Sequence, residues 1–464
     1  LTRRRQYHAG FRRAGAGYVL LVNARRPLVL PDTDPRSNEP SSTTGISRRR
    51  FIGSAAATVG ALTVGGSAML ARNAPAANMS SIEHVVVVMM ENRSFDHFLG
   101  WVPGADGRQA GLTYTDAAGV PHATHRLAPD YQGCGHPDPD HSYEGGRVEF
   151  DNGACDGWLR AGANDEYAIG YYTQGDLAFL GAAVPQWTTF SRYFAAIMAE
   201  TYPNRIYQHA AQTDRIRNTM TVSTLPTIWD RLAAAGRSGR YYYSDVPFLA
   251  LWGAKYIPIS RPVASFFVDC AAGTLPDVSY VDPRFLDEGS GTSGDDHPHA
   301  DIRNGESFMN SIYRAVTTSP NWRNTVLVFN YDEWGGFYDH VPPPTAPIPA
   351  ADRAAGNQDG RLGFRVPCLL VSPWARRANV AGRVYDHTSV LRMIETRWSL
   401  RPLTVRDQTA RNLAEVLDFS RTNLRAAQYP VPPGPFGTPC GTPAVGEEDM
   451  AGLLALARST GWPL

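Results

Sequence analysis

The 464-residue chain is 43% hydrophobic, an ordinary globular composition that allows a sizeable buried core. Lysine plus arginine and aspartate plus glutamate balance at 44 each, which excludes a broad basic face for nucleic acid or for an anionic membrane. A phosphate-bearing substrate would have to be met by a local site, and the length permits either several domains or one α/β domain with large insertions.

Residues 1–46 read as an irregular leader to which no function is assigned. From residue 47 the chain reads Ser47-Arg48-Arg49-Arg50-Phe51-Ile52-Gly53, then a mildly apolar Ala/Gly-rich stretch to Leu70, then Ala74-Pro75-Ala76. A twin arginine, a short apolar core and an Ala-x-Ala site predict a twin-arginine export signal over 47–76. The stretch is short for a membrane span, which needs about 20 apolar residues. The expectation is a secreted or cell-envelope protein handled by the twin-arginine machinery, with residues 77–464 as its catalytic domain.

The run His84–Met90 is short, apolar and rich in β-branched residues, as a buried parallel strand should be. It leads straight into Glu91-Asn92-Arg93-Ser94. A carboxylate directly after a buried strand is well placed to hold a hard cation, with the Asn92 carbonyl beside it; the competing reading has Glu91 capping the next helix. The stretch from Gly100 to Gly181 is rich in Gly, Pro, Asp and aromatic residues and predicts a loop-rich excursion over the active site. Asp140-His141 lies within it. A carboxylate beside an imidazole raises its basicity, which suits a proton donor to a leaving alcohol, although most surface pairs of this kind are inert.

Helical patterns follow over Pro185–Ala199 and Asn204–Gln212. Between them, Thr201-Tyr202-Pro203 fits a helix start, with Pro203 in the first turn and Thr201 at or before the cap. A helix N-terminus also attracts phosphate, so Thr201 reads equally as a cap or as a nucleophile. A helix is expected over Leu225–Ala235 and a strand over Arg240–Ser244. The apolar segments Phe179–Trp187 and Val246–Trp252 would suit lipid if they flank the pocket.

Asp296-His297-Pro298-His299 occupies another loop, before a helix over Ile302–Thr317. The apolar strand Thr325–Tyr331 ends in Asp332-Glu333-Trp334-Gly335-Gly336. Two adjacent carboxylates at the mouth of a buried strand repel each other and are costly unless a cation or an arginine sits between them. A second irregular segment spans Pro342 to Gly363, a strand is expected over Val366–Ser372, and a helix over Ser389–Trp398, where Asp386 stabilises the N-terminus. Strands alternating with helices predict an α/β fold with a mainly parallel sheet, helices on both faces, and functional residues just beyond the strands' carboxyl ends. Of the five cysteines, Cys134 and Cys155 are candidates to pair and Cys368 reads as a buried thiol.

The motifs His84-Val-Val-Val-Val-Met-Met-Glu-Asn-Arg-Ser-Phe-Asp-His-Phe98, Thr201-x-Pro-Asn-Arg205, Asp296-His-Pro298, Asp332-Glu-x-Gly-Gly-Phe-Tyr-Asp-His340 and Asp386-His-Thr-Ser-Val390 together resemble the bacterial phosphoesterase family of phospholipase C enzymes and a respiratory-burst-inhibiting acid phosphatase. The resemblance runs from about Ile82 to Phe419. It implies an alkaline-phosphatase-like fold and one divalent metal ion held by Glu91, Asn92, Asp332, Glu333 and the Thr201 hydroxyl. Calcium is an option because every ligand is oxygen. Thr201 would be the nucleophile, and His141 and His297 would contact the phosphoryl group or protonate the leaving group. Asn204 and Arg205, at the helix start, would bind the substrate.

The function implied is a phospholipase C that acts at a lipid surface, cleaves phosphodiesters such as phosphatidylcholine through a phospho-threonine intermediate, and has no nucleic-acid partner. The alternatives are a broad acid phosphatase acting on monoesters and a catalytically weakened exported binding protein. The last is prompted by Ala199-Glu200, where the family usually has Gly-Pro: an extra carboxylate near an anionic substrate is unfavourable unless it points away or pairs.

Overall fold

The computed structural model describes residues 76–288, 290–441 and 450–464. The leader expected over 1–46 and, except for Ala76, the export signal expected over 47–76 lie outside these residues. Eight strands form the central sheet: β1 His84–Met90, β2 Thr188–Phe190, β3 Gly239–Tyr243, β4 Ser260–Pro262, β5 Val278–Val281, β6 Thr325–Tyr331, β7 Cys368–Val371 and β8 Asn379–Ala381. Their order across the sheet is β8-β2-β7-β6-β1-β5-β3-β4. Only β7 runs against the others, pairing antiparallel with β6 and β2. The centre is made by β1 between β5 and β6, both parallel to it. Valines 85–88 and Met90 are essentially inaccessible, which is why this strand is a continuous apolar run and not an alternating one.

The principal helices are α1 Phe95–Leu99, α2 Thr201–Ala210, α3 Val263–Ala272, α4 Ile302–Thr317 and α5 His387–Trp398. Period-two alternation assigns their faces. His209 of α2 lies against Tyr241 and Tyr280. The next residue along β3, Tyr242, meets Phe266 of α3 edge-on. Neighbouring residues of a strand point to opposite faces, so α2 and α3 cover opposite sides of the sheet. The expected α/β class, with a mainly parallel sheet between helices, is the observed one.

Several local expectations differ. The helix expected over Pro185–Ala199 is absent: Pro185 sits in a short 3-10 turn and Thr188–Phe190 becomes β2. Its two threonines and Phe190 are buried between β7 and β8, and that pairing outweighs a helical spacing. The large apolar side chains of Phe179–Trp187 and Val246–Trp252 are not displayed on exposed loops. Phe179, Leu180, Trp187 and Phe248–Leu251 are at most 1% exposed and belong to the core.

Cys134 pairs with Cys440, not with Cys155, which is a buried free thiol like Cys270 and Cys368. The bond fastens the C-terminal segment to the loop before His136. Cys440 N donates to Ser290 O at 2.8 Å, and Gln132 Nε2 donates to Gly291 O at 2.8 Å. Three chain segments thus meet at Gly291, whose φ of +75° and crowded surroundings exclude a larger residue.

Within α5, Glu395 is buried beside Asp407, and burial raises its pKa from 4.5 to about 10. The native state therefore holds a proton that the unfolded chain releases above its ordinary pKa. That contribution is complete below about pH 4.5 and is lost as pH rises toward 10. Glu395→Gln, which keeps the shape of the neutral acid, is expected to raise stability at pH 7 by as much as about 3 kcal/mol and to leave it unchanged near pH 4. Denaturant melts at the two pH values check this; equal shifts at both would count against it.

Candidate active site

Parallel strands deliver their carboxyl ends to one edge of the sheet. Met90 and Tyr331 pair in register at the ends of β1 and β6, so Glu91 and Asp332 leave the sheet side by side. Asp332 N donates to Met90 O at 3.1 Å. Both carboxylates converge on one nitrogen: Arg205 Nε lies 3.0 Å from Glu91 Oε1 and 3.3 Å from Asp332 Oδ2. Glu91 does not cap the following helix. Ser94 does, accepting from His97 N.

Asn92 takes φ of +59°, a left-handed conformation that asparagine tolerates better than most residues. Its backbone N–H donates to Asp332 Oδ1 at 3.0 Å, and its side-chain Oδ1 accepts from the Thr201 hydroxyl at 3.2 Å. Glu333 Oε2 accepts from Gly335 N at 2.7 Å. A Cβ at Gly335 would lie 2.1 Å from the Asn92 carbonyl oxygen, so the glycine after Trp334 is what lets the two strand-end turns approach. Glu91, Asn92, Thr201, Asp332 and Glu333 are each 0% exposed.

Helix α2 begins at Thr201, with Glu200 as its N-cap residue in extended backbone and no side-chain capping bond. Thr201 is therefore the first helical residue, and its hydroxyl is turned to Asn92 instead of the helix end. This separates the two readings left open by the sequence: the hydroxyl does not cap. The Glu200 carboxylate accepts from the backbone N–H of Asn218, whose side chain in turn accepts from Tyr202 N at 2.8 Å.

Asn204 and Arg205 are placed differently from a substrate-binding pair. The Asn204 amide accepts from Ile197 N and donates to Ile197 O and Ala199 O at 2.7–3.1 Å, bracing the turn that leads into the helix. Arg205 is 2% exposed and spends its donors on Glu91, Asp332, Asp282 and the carbonyls of Met89 and Met90. Both residues hold the site's walls, with the helix start carrying them there.

The aspartates next to the two histidines in sequence have partners of their own. Asp296 accepts from the Tyr331 hydroxyl at 2.6 Å and Asp140 from Ser142 N at 3.0 Å. His141 and His297 nevertheless come together from separate loops, their rings edge-to-face with centroids 6.3 Å apart. The carboxylate facing His297 is Asp138, 3.9 Å from Nε2. His141 Nδ1 bonds the Pro139 carbonyl at 2.8 Å; a carbonyl only accepts, so Nδ1 carries the proton and Nε2 faces the site with a lone pair when the ring is neutral. Neither ring nitrogen of His297 has a hydrogen-bond partner among the described residues, and burial, reinforced by His141, His299 and Arg93, holds its pKa well below the ordinary histidine value. Arg93 fixes the loop, donating to the carbonyls of Asp296 at 2.6 Å and His297 at 3.0 Å.

Sequence reasoning passed over two further groups. His387 Nε2 bonds the Asp332 carbonyl oxygen at 2.7 Å, positioning that residue from α5; the motif containing it was visible, but only as a helix start. Asp282 at the end of β5 follows a strand too short to read, and reaches the site through Arg205.

Among the described residues, three buried or half-buried groups have metal-ligating atoms within 4.8 Å of one another. Asp96, Asp339 and His340 already surround the Arg365 guanidinium, with Arg365 Nη2 3.0 Å from Asp96 and Nε 2.9 Å from Asp339. Asp138, His141 and His297 line the histidine side, and Glu91, Glu288 and Asp295 lie on the carboxylate side. Glu91, Asn92, Asp332 and Glu333 offer oxygen donors alone and are fully buried, with the Arg205 guanidinium between Glu91 and Asp332; all-oxygen donors suit a hard divalent cation. The Asn92 side-chain N–H2, buried with no acceptor among the described residues, suits a phosphoryl oxygen beside it.

The Phosphoesterase family profile matches residues 82–401. The chain is 30% identical over 382 residues to non-specific phospholipase C6 of Arabidopsis thaliana, covering 74% of this chain and 73% of that protein. It is 29% identical over 428 residues to phospholipase C A of Mycobacterium tuberculosis (strain ATCC 25618 / H37Rv), covering 75% and 80%. Among solved structures it is similar to a protein in the alkaline phosphatase superfamily from Vibrio parahaemolyticus, with TM-score 0.37, 9% identity, and 71% and 70% of the two chains covered. With most of its described length inside the matched region, this chain belongs to the phosphoesterase family and is a hydrolase acting on ester bonds.

Proposed function

We propose that the chain is an exported, metal-dependent phospholipase C that cleaves phosphodiesters such as phosphatidylcholine through a phospho-threonine intermediate. The observation that carries this reading is the Thr201 hydroxyl, buried at the first residue of α2 and bonded to Asn92 instead of the helix end. The relatives named phospholipase C direct it to lipid phosphodiesters. Export accords with the arginine pattern at 47–53 and with the Cys134–Cys440 disulfide, which suits an oxidising compartment.

A divalent ion held by Glu91, Asn92, Asp332, Glu333 and Thr201 would supply a lowered hydroxyl pKa and a polarised phosphoryl oxygen. The chain's own groups do the rest. Thr201 loses its hydroxyl proton to solvent, its Oγ1 attacks phosphorus in line, and the bond from phosphorus to the diacylglycerol oxygen breaks. His297 or His141 gives that oxygen its proton; the negative phosphoryl group favours the protonated imidazole that burial alone disfavours. The Asn92 amide donates to a phosphoryl oxygen. Water then cleaves the phospho-threonine. Glu200, engaged by Asn218, gives no reason to regard the site as weakened.

The test is release of diacylglycerol from phosphatidylcholine vesicles beside release of nitrophenol from p-nitrophenyl phosphate, each with and without chelator. Diacylglycerol release that chelator abolishes and added divalent ion restores is expected. Turnover of the monoester alone would make the enzyme an acid phosphatase, and activity indifferent to chelator would remove the metal from the reading.

A further inference from the structure

Arg205 sits where the ends of three neighbouring strands meet. Its guanidinium reaches Glu91 beyond β1 at 3.0 Å, Asp332 beyond β6 at 3.3 Å and Asp282 beyond β5 at 3.4 Å. Nη2 adds the carbonyls of Met89 and Met90, both at 3.2 Å. The rings of Phe285 and Phe248 close the sides, 4.7 and 5.4 Å from the guanidinium carbon. Asp282 is itself held by the Tyr241 hydroxyl. The whole group is buried.

A guanidinium so enclosed cannot swing out to a substrate, and its surroundings are those of a bound cation: several carboxylate and carbonyl oxygens around one positive charge. We infer that Arg205 is a positioning residue that serves as a built-in cation, holding Glu91 and Asp332 together and occupying the place a second metal ion would take, so that the site accepts one divalent ion. This rests on the metal-dependent reading above. The carboxylates now lie 3.0–3.4 Å from the guanidinium nitrogens; calcium–oxygen distances are about 2.3–2.6 Å. Glu91 and Asp332 share the one nitrogen Nε, and for an ion at that position they need to close by about 0.4–1 Å, while Asp282, which faces Nη1, has to turn toward it. Loss of the fixed charge also leaves buried carboxylates repelling one another, which raises the affinity for any cation that enters.

Calcium and manganese binding to the full chain, counted by equilibrium dialysis and followed by thermal melting, tests this. The wild-type protein is expected to bind one ion and Arg205→Met two. Arg205→Lys, which keeps the charge, is expected to bind one. Arg205→Met/Asp282→Asn, short of one carboxylate, is expected to bind its second ion at least about tenfold more weakly than the single variant. If Arg205→Met unfolds without metal, its refolding on titration with either ion should require two ions per chain. One ion in Arg205→Met overturns the inference, as does a variant that stays unfolded at saturating ion, because an ion is then unable to stand in for the guanidinium. A wild-type chain that binds no divalent ion would instead remove the metal reading itself.

Discussion

Thr201→Ala is expected to lower turnover of phosphatidylcholine by about 10⁴-fold or more, the scale seen when a covalent nucleophile is removed. The substitution takes away a buried γ-methyl and the hydroxyl at the first residue of α2, where the hydroxyl makes no capping bond. The structural loss is the hydrogen bond to Asn92 and one buried methyl, about 2–3 kcal/mol of stability. The variant should therefore fold, melt cooperatively and remain inactive. Thr201→Ser restores the hydroxyl and should restore most of the activity. Acid-quenched wild-type enzyme should carry a phosphoryl group on Thr201, read by mass spectrometry of the peptide containing it. Ordinary turnover in Thr201→Ala, or a phosphoryl group found only elsewhere, would reject the nucleophile assignment.

Asp332→Asn should weaken divalent-ion binding by about 100-fold or more, since even loss of a group that merely orients a ligand costs about 10–100-fold. The side chain keeps its shape and an oxygen able to accept from Asn92 N and Glu333 N, now at 3.0 and 2.7 Å. What disappears is a negative charge beside Arg205. Activity at low metal should fall with the affinity and recover in part at high metal. An unchanged affinity, with activity lost regardless of ion concentration, would show that Asp332 orients the turn without holding the ion.

The carboxylate half of the site was legible because its residues are covalently attached to recognisable strands. An apolar run that stops at Met90 or Tyr331 announces where the next side chain emerges, and parallel packing brings those ends to one edge. The histidine half was legible only as a set of residues. Asp140 and Asp296 stand next to the right histidines in the chain, yet their carboxylates turn to Ser142 and Tyr331. Adjacent residues in a loop point in directions set by local backbone, so the partner that faces His297 is Asp138, brought from a distant loop. Arg205 shows the same limit: its motif marks the helix start, while its destination depends on three strands that the motif does not contain.

By itself, the sequence determined the α/β class, the strand-end position of Glu91 and Asp332, and a helix start close to Thr201 and Pro203, because apolar periodicity and chain connectivity are local properties. The tertiary structure decided that the Thr201 hydroxyl faces Asn92, that Cys134 finds Cys440 across the fold, and that the Arg205 guanidinium lies between the Glu91 and Asp332 carboxylates. Each of those choices depends on which distant groups share a buried space, where an unmatched charge or polar atom is costly enough to select one arrangement.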